Sequence, residues 1–366
     1  MTPNKIKLMH PNIGDEELRL VEEVMRSGNL AEGKMVKEFE DAVCSYTGAK
    51  YAIACTSATT GLELALRALG IGKGDEVIVP DFTHPATAFV VQTLGAKPIL
   101  IDVDLESYNT SAKYIRDAIT KKTKAIIPVS IFGNPLDMDS IMEIGRKNNI
   151  AVIEDAACSL GSQYKRKKIG NLADMTVFSF HPRKIFTTGD GGLITTNNKD
   201  YYELMLSMKR FGAGTVDGKN TFVRWGTNYR MSDILGAVAL AQVKKIDQIV
   251  NARIKGAKIY DQLLENVEGI IRPSIEANSK SNYQTYAVFI KNNKRDLVLQ
   301  EMRNRNIEVQ IGTYALNSLP AFKKVARVGD LKNSLSLSEN LLALPLHAKL
   351  TKKDQIRVVE NLKSLL

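Results

Sequence analysis

The chain has 366 residues, 44% of them hydrophobic and 25% charged, and its formal net charge is +10. A chain of this length favours two domains, or one large domain with an appendage, and its composition is that of a globular protein rather than a disordered one. No stretch is long and apolar enough to span a membrane, and the N-terminus lacks an apolar segment suited to secretion, so we expect a cytoplasmic protein with no membrane partner.

The cysteines and histidines show neither a metal-binding nor a disulfide pattern. The three cysteines include no CxxC pair, and the four histidines are scattered without an HExxH or HxH pattern. We therefore expect reduced thiols and no metal.

The positive charge is open to three interpretations: a basic surface, an anionic small substrate or a nucleic-acid partner. The densest basic run, KRKK at residues 165–168, is explained by a solvated hairpin turn. No helix-turn-helix, RNP-like strand or zinc-finger spacing accompanies it, so we expect no nucleic-acid partner.

In chain order, the first predicted element is an amphipathic helix over residues 15–26. From residue 51 to residue 196, short β-branched runs then alternate with helix-patterned stretches, which is typical of a parallel sheet covered on both faces. The seven predicted strands are residues 51–54, 76–79, 97–101, 124–129, 151–154, 175–178 and 192–196.

The C-terminal third has a different pattern. Its predicted elements are a long helix at residues 232–265 that leaves the sheet, a strand at 283–290 and helices at 294–305 and 352–365. The predicted fold class is therefore α/β. A large domain over residues 1–250 holds the N-terminal helix and a mostly parallel, doubly covered seven-stranded sheet, and residues 251–366 form a smaller α+β domain.

Ligands of parallel α/β sheets gather at the carboxyl ends of the strands, so residues just after the predicted strands are the candidates for a site. The run Ser57-Ala58-Thr59 opens a helix and could cradle an anion, although an ordinary helix N-cap explains it as well. Asp155 could hold a ring nitrogen protonated, or it could cap a helix. Lys184 follows Ser179 by five positions and precedes a glycine-rich turn, but a lone lysine is usually a surface residue.

Taken together, these three features favour a ligand site over the separate explanations as helix caps and a surface lysine. An anion cradle, an acid and a lysine, each at the end of a different strand, are the contacts that pyridoxal 5'-phosphate (PLP) requires. The sequence therefore predicts a PLP enzyme with Lys184 as the residue that binds the cofactor covalently.

Ordered motifs along nearly the whole chain support this prediction. They are GDEVIVP at residues 74–80, EDAA at 154–157, FSFHPRK at 178–184, TGDGG at 188–192, NYRMS at 228–232 and LPLH at 344–347. With these motifs the sequence resembles the DegT/StrS family of PLP-dependent sugar aminotransferases.

The resemblance implies a fold-type-I aminotransferase and a homodimer whose active sites are shared between subunits. Lys184 would form the Schiff base with PLP and afterwards act as the acid and base, and Asp155 would pair with the pyridinium nitrogen. Asn228 would reach the cofactor phosphate across the dimer interface. The implied cofactor-binding residues are Ser57, Ala58, Thr59, His84, Asp155, Cys158, Ser179, Lys184 and Asn228.

Three positions depart from the commonest family pattern. His84 stands where an aromatic ring usually stacks on the cofactor, and Cys158 stands where many relatives have Gln or His near the phenolic oxygen. Asn317 replaces a frequent histidine. Together with Tyr314 it is expected on the substrate side of the site.

The leading hypothesis is amino transfer to a nucleotide-linked keto sugar from an amino acid, with L-glutamate as the expected donor. A PLP-dependent keto-sugar dehydratase is an alternative, but such relatives replace the lysine by histidine, and Lys184 speaks against it. A non-enzymatic DNA-binding regulator is a second alternative. A nicotinamide-dependent oxidoreductase would need a GxGxxG turn after a strand, which the sequence lacks. The sugar, its nucleotide and the aminated carbon stay open.

Overall fold

The computed structural model describes residues 4–366, which form twelve α-helices and nineteen β-strands. The helices are α1 (Asp15–Ser27), α2 (Lys34–Thr47), α3 (Ala58–Ala68), α4 (Ala86–Thr93), α5 (Ala112–Ala118), α6 (Met138–Asn148), α7 (Lys199–Met208), α8 (Asp233–Lys244), α9 (Ile246–Leu263), α10 (Arg295–Asn304), α11 (Lys332–Asn340) and α12 (Lys352–Lys363). The strands are β1 (Tyr51–Cys55), β2 (Glu76–Pro80), β3 (Phe82–Thr83), β4 (Lys97–Ile101), β5 (Thr123–Ile126), β6 (Ala151–Asp155), β7 (Gln163–Tyr164), β8 (Lys167–Lys168), β9 (Met175–Ser179), β10 (Gly192–Thr196), β11 (Ala213–Val216), β12 (Lys219–Phe222), β13 (Ile270–Ile271), β14 (Ser279–Lys280), β15 (Tyr286–Ile290), β16 (Gln310–Ile311), β17 (Tyr314–Ala315), β18 (Ala326–Arg327) and β19 (Leu341–Leu344).

The large sheet has the order β1-β10-β9-β6-β5-β2-β4-β18. Six neighbouring strands, from β9 to β18, are parallel, and β10 lies antiparallel between β1 and β9. The prediction of a mostly parallel sheet is confirmed, but the count of seven strands is wrong. The eighth strand, β18, has two residues and comes from the C-terminal third, so it is too short to show a hydrophobic pattern in the sequence.

Helices cover both faces of this sheet. Alternate residues of each strand enter two separate cores, as the two-residue period of a strand requires. In β1, for example, Ala54 packs with α2 and α8 residues on one face, and Ile53 packs with α3 residues on the other. The predicted double covering is therefore confirmed, and it leaves the strand ends as the accessible part of the sheet.

The C-terminal third builds a second sheet, with the order β13-β15-β19-β16 and antiparallel pairing throughout. This sheet shares a core with α9, α10 and α12. The helix predicted over residues 232–265 is two helices, because Lys245, with φ −110° and ψ 13°, is not helical. Helix α9 runs through residue 250, and the domain division there stays a prediction.

Two further observations bear on the site and the surface. The short strand β17 pairs with β3, which brings Tyr314 opposite Thr83, next to His84. Among the helices of residues 4–366, none combines the length and the apolar character needed to cross a membrane.

Candidate active site

A cavity of about 390 Å³ opens at the carboxyl ends of β1, β6 and β9. Nine of the eleven predicted site residues line it, although they come from distant parts of the sequence. They are Ser57, Ala58, Thr59, His84, Asp155, Cys158, Ser179, Lys184 and Tyr314. Asn228 and Asn317 do not line it.

The first wall of the cavity is the N-terminus of α3. Ser57 is the N-cap, and its Oγ accepts a hydrogen bond from the Thr60 backbone N–H at 3.2 Å. Ala58 and Thr59 are the first two residues of the helix, where backbone N–H groups have no partner within the helix. The segment is thus a helix cap and, at the same time, a surface that can bind an anion.

Gly192 explains part of the TGDGG motif. It begins β10 and pairs in register with both Cys55 and Ser179. A Cβ atom at Gly192 would lie 2.3 Å from the carbonyl carbon of Ser57 and 2.5 Å from the Ala58 nitrogen. Only glycine leaves room for this approach, so the backbone of the anion cradle rests directly on β10.

Asp155 ends β6, and its side chain is buried at the cavity. Its Oδ2 accepts a hydrogen bond from Thr87 Oγ1 at 2.8 Å, and its Oδ1 accepts one from the Ala157 backbone N–H at 3.2 Å. Both donors are neutral, so the carboxylate keeps the capacity to bind a cationic N–H group. Thr87 lies in α4 and was missed in the sequence, where nothing distinguishes it from other residues of an apolar helix.

Lys184 lies in the irregular loop between β9 and β10 and is half-buried. Its Nζ lies 3.2 Å from Cys158 Sγ. A thiol is a weak acceptor and does not hold the amine as a carboxylate would. The amine is therefore available to a ligand in the cavity.

His84 lines the same cavity as Lys184. Desolvation at the cavity wall lowers the pKa of His84 below its usual value, and the positive charge of Lys184 acts in the same direction. The ring is therefore neutral at pH 7, with Nδ1 accepting from the Ala86 backbone N–H at 3.2 Å. Its centroid lies 6.5 Å from that of Tyr314. A neutral imidazole can stack on a flat ligand without repelling a cationic ring.

Asn228 and Asn317 lie elsewhere. Asn228 is exposed, and its Oδ1 accepts from Arg230 Nε at 3.0 Å. Asn317 lies in a short 3₁₀ turn, where its backbone N–H donates to Asp81 Oδ1 at 2.8 Å and its own Oδ1 is buried without a partner. A substrate role for Asn317 and a cofactor role for Asn228 stay predictions.

The C-terminal third contributes a wall of which the sequence predicted only Tyr314. Its cavity-lining residues are Gln284, Thr285, Gln310, Ile311, Gly312, Thr313, Tyr314, Ala343, Leu344 and Leu346. Most of them follow no predicted strand of the large sheet, so the rule that ligands gather at strand ends could not identify them. Arg183 and His181, inside the FSFHPRK motif, also line the cavity.

The chemistry of the cavity fits a cofactor with three distinct groups. A phosphate matches the free N–H groups at the α3 N-terminus, a protonated ring nitrogen matches the Asp155 carboxylate, and an aldehyde matches the Lys184 amine. In residues 4–366 no group of three or more His, Cys, Asp or Glu side chains could hold a metal ion.

Comparison with known proteins agrees with this geometry. GDP-perosamine synthase of Caulobacter vibrioides is 37% identical over 367 residues, covering 99% of this chain and 98% of that protein. UDP-2-acetamido-2-deoxy-3-oxo-D-glucuronate aminotransferase of Pseudomonas aeruginosa is 37% identical over 333 residues, covering 89% of each. The PLP form of Spr1654 from Streptococcus pneumoniae superposes with a TM-score of 0.92 at 28% identity, covering 99% of this chain and 98% of that one.

The sequence profile of the DegT/DnrJ/EryC1/StrS aminotransferases matches residues 11–363. The family and the enzyme class predicted from the motifs are both confirmed. The chain belongs to the DegT/DnrJ/EryC1/StrS aminotransferase family.

Proposed function

We propose that this aminotransferase uses PLP to convert a nucleotide-linked keto sugar to an amino sugar, with an amino acid, expected to be L-glutamate, as donor. One observation carries the proposal. A helix N-terminus with free N–H groups, a buried carboxylate with neutral donors and a lysine amine line one cavity at the ends of β1, β6 and β9. The PLP form of the similar Spr1654 structure supports the same cofactor here.

Each group of the site has a role in this proposal. The N–H groups of Ala58 and Thr59 and the Ser179 hydroxyl donate to the phosphate, and Asp155 accepts the N–H of the ring nitrogen. When bound, the cofactor supplies an electron-poor ring that takes up the electron pair released when a proton leaves the amino-bearing carbon. Lys184 Nζ removes that proton and returns it to the neighbouring carbon. His84 covers one face of the ring and keeps water away from it.

The substrate class rests on the curated relatives. The names of the two relatives above refer to sugars carried on GDP and UDP, and one of them is a 3-oxo sugar. Both cover at least 89% of this chain. Lys184 supports amino transfer over the dehydratase alternative, since amino transfer needs a base that accepts and returns the same proton.

We also propose a cytoplasmic homodimer with shared sites. Asn228 does not line the cavity of its own chain. It forms a β-bridge with Arg210, three residues before the hairpin β11–β12, and apolar side chains in and just after this hairpin are exposed. Phe222 is 70% exposed and Trp225 is 96% exposed. A second copy of the chain would cover this apolar surface and receive Asn228.

The proposal is tested with purified protein. We expect a yellow protein whose absorbance band disappears on borohydride treatment, with the reduced adduct on Lys184 in peptide mass spectra. The amino form of the cofactor is then mixed with a panel of nucleotide-linked keto sugars, and return of the absorbance band together with an amino-sugar product identifies the substrate. A colourless protein without an adduct would refute the enzyme proposal, and a deoxygenated sugar product would support the dehydratase.

A further inference from the structure

The peptide unit before Lys184 is fixed at both of its polar groups. Lys184 lies in a loop without helix or strand. Its backbone N–H donates to the carbonyl oxygen of His181 at 2.8 Å, and the carbonyl oxygen of Arg183 accepts a hydrogen bond from Gln284 Nε2 at 2.6 Å. Because a peptide unit is planar, fixing its N–H and its C=O fixes the plane and hence the direction in which the Lys184 side chain leaves the backbone.

Gln284 is itself held in one orientation. Its Oε1 accepts from Thr285 Oγ1 at 3.0 Å, so a flipped amide would lose this bond as well as the one to Arg183. Its backbone N–H donates to Asn282 Oδ1 at 2.8 Å. The residue is 7% exposed and lines the cavity. Its amide can therefore act as a fixed donor rather than a mobile one.

The buried guanidinium of Arg253 binds the backbone of the segment that contains Gln284. Arg253 in α9 is 2% exposed, and its Nη1 donates to the carbonyl oxygens of Tyr283 at 3.2 Å and Gln284 at 2.9 Å. Burial lowers the pKa of Arg253 to about 10, so the guanidinium is still charged at neutral pH. Hydrogen bonds from a charged donor are stronger than neutral ones, which makes Arg253 a firm support.

The same segment also reaches the loop after Asp155. Asn282 Nδ2 donates to the carbonyl oxygens of Cys158 at 2.8 Å and Leu160 at 2.9 Å. We call residues 282–285 the clamp. It joins the backbone beside Lys184 to the backbone of the loop after Asp155.

From these contacts we infer that Gln284 is a positioning residue that aims Lys184 Nζ at the reacting carbon. The inference rests on the proposed function, in which Lys184 binds the cofactor. In the step concerned, the Lys184 amine would attack the aldehyde carbon of PLP. A C=N bond would replace the C=O bond, and the aldehyde oxygen would leave as water with two hydrogens from the amine. Gln284 touches none of these atoms. It sets the geometry of the attack through the Arg183–Lys184 peptide.

The test measures how fast apoenzyme binds PLP covalently, followed by absorbance after mixing. Gln284→Leu removes the amide donor and should slow this reaction about tenfold, the size expected for the loss of one well-oriented hydrogen bond at a reacting group. Thr285→Val removes only the group that orients the amide and should slow it less. Gln300→Leu, at an exposed position of α10, is the matched control and should react at the wild-type rate.

A second measurement separates positioning from general support of the fold. In the Lys184→Ala background, non-covalent PLP affinity should be the same within about twofold with and without Gln284→Leu, because the amide acts only through Lys184. Unchanged covalent rates in both Gln284→Leu and Thr285→Val would overturn the inference. So would a loss of non-covalent PLP affinity, caused by Gln284→Leu in the Lys184→Ala background, as large as the loss of covalent rate. A wild-type chain that forms no adduct at Lys184 would overturn the proposed function together with the inference.

Discussion

The Nζ of Lys184 lies 3.2 Å from the Sγ of Cys158, three residues beyond Asp155. The lysine thus points toward the end of β6, the strand that carries the buried acid. Since a thiol is a weak hydrogen-bond acceptor, little free energy is lost when the Lys184 amine leaves this contact and turns to a ligand.

Lys184→Ala should abolish turnover and leave the fold intact, because the side chain is half-buried in a loop and packs no core. The variant should still bind the cofactor without a covalent bond. Turnover, the thermal unfolding midpoint and the cofactor content per chain measure these three effects, and borohydride should trap no adduct at position 184. Lys121→Ala, at an exposed position, is the control. Ordinary turnover in Lys184→Ala would rule out its catalytic role.

Asp155→Asn should lower kcat by about a hundredfold or more, with a smaller effect on cofactor occupancy. An amide does not stabilise the positive charge on the ring nitrogen, so the ring accepts electrons less well. Thr87 can still donate to the amide oxygen, which keeps the pocket in shape. Steady-state kinetics and cofactor content per chain are compared with those of Asp117→Asn, an exposed control. A mild effect on kcat would place the partner of the ring nitrogen elsewhere.

Gly192→Ala should weaken PLP binding about a hundredfold, because the new methyl group forces the Ser57–Ala58 backbone out of place. Titration of apoenzyme with PLP measures the loss. Pyridoxal, which lacks the phosphate, should bind the variant and the wild type equally. Gly72→Ala, where the nearest atom is 3.9 Å from the added carbon, is the matched control. A parallel loss of pyridoxal binding would contradict the assignment of this segment to the phosphate.

Shared active sites can be tested with mixed dimers. Lys184→Ala and Asn228→Asp should each be inactive, the second because a carboxylate repels the phosphate. In a heterodimer purified through two different tags, one site would combine an intact Lys184 with an intact Asn228 from the other chain. We expect about half of the wild-type activity per dimer. An inactive heterodimer, or an active Asn228→Asp homodimer, would show that Asn228 does not act across the interface.

Glu154, which points to the opposite face of β6 from Asp155, should make stability depend on pH. Burial raises the pKa of Glu154 to about 7, the hydrogen bond from Ser130 opposes this, and the charge of Asp155 adds to it. Between pH 4.5 and pH 7 the unfolded chain releases the proton while the folded chain keeps it, so the free energy of unfolding falls as pH rises.

Glu154→Gln should remove about 3 kcal/mol of this fall between pH 5 and pH 8, as 1.36 kcal/mol per pKa unit implies. Denaturant unfolding at both pH values measures it. A smaller fall should remain in the variant, because burial also raises the pKa of Asp81 to about 7. An unchanged slope in Glu154→Gln would mean that Glu154 is ionised in the folded protein.

The sequence predicted the sheet and the strand-end residues of the site for one reason: both follow from local patterns. Ser57, Asp155 and Lys184 each come shortly after an apolar run, and the parallel-sheet rule places them together. Thr87 and Gln284 could not be found in this way. One lies inside an apolar helix and the other in a loop 100 residues after Lys184, so their contacts depend on tertiary packing alone.

The strand β18 bears on whether the predicted large domain would be stable against aggregation as a separate fragment. This two-residue strand supplies backbone partners to Ile99 and Leu100 of β4, at the outer margin of the large sheet. A fragment ending at residue 250 would leave the hydrogen-bonding groups of β4 open to pairing with other chains, and exposed strand margins of this kind promote aggregation. Residues 1–250 therefore depend on the C-terminal third to cover the margin of the large sheet as well as to complete the wall of the cavity.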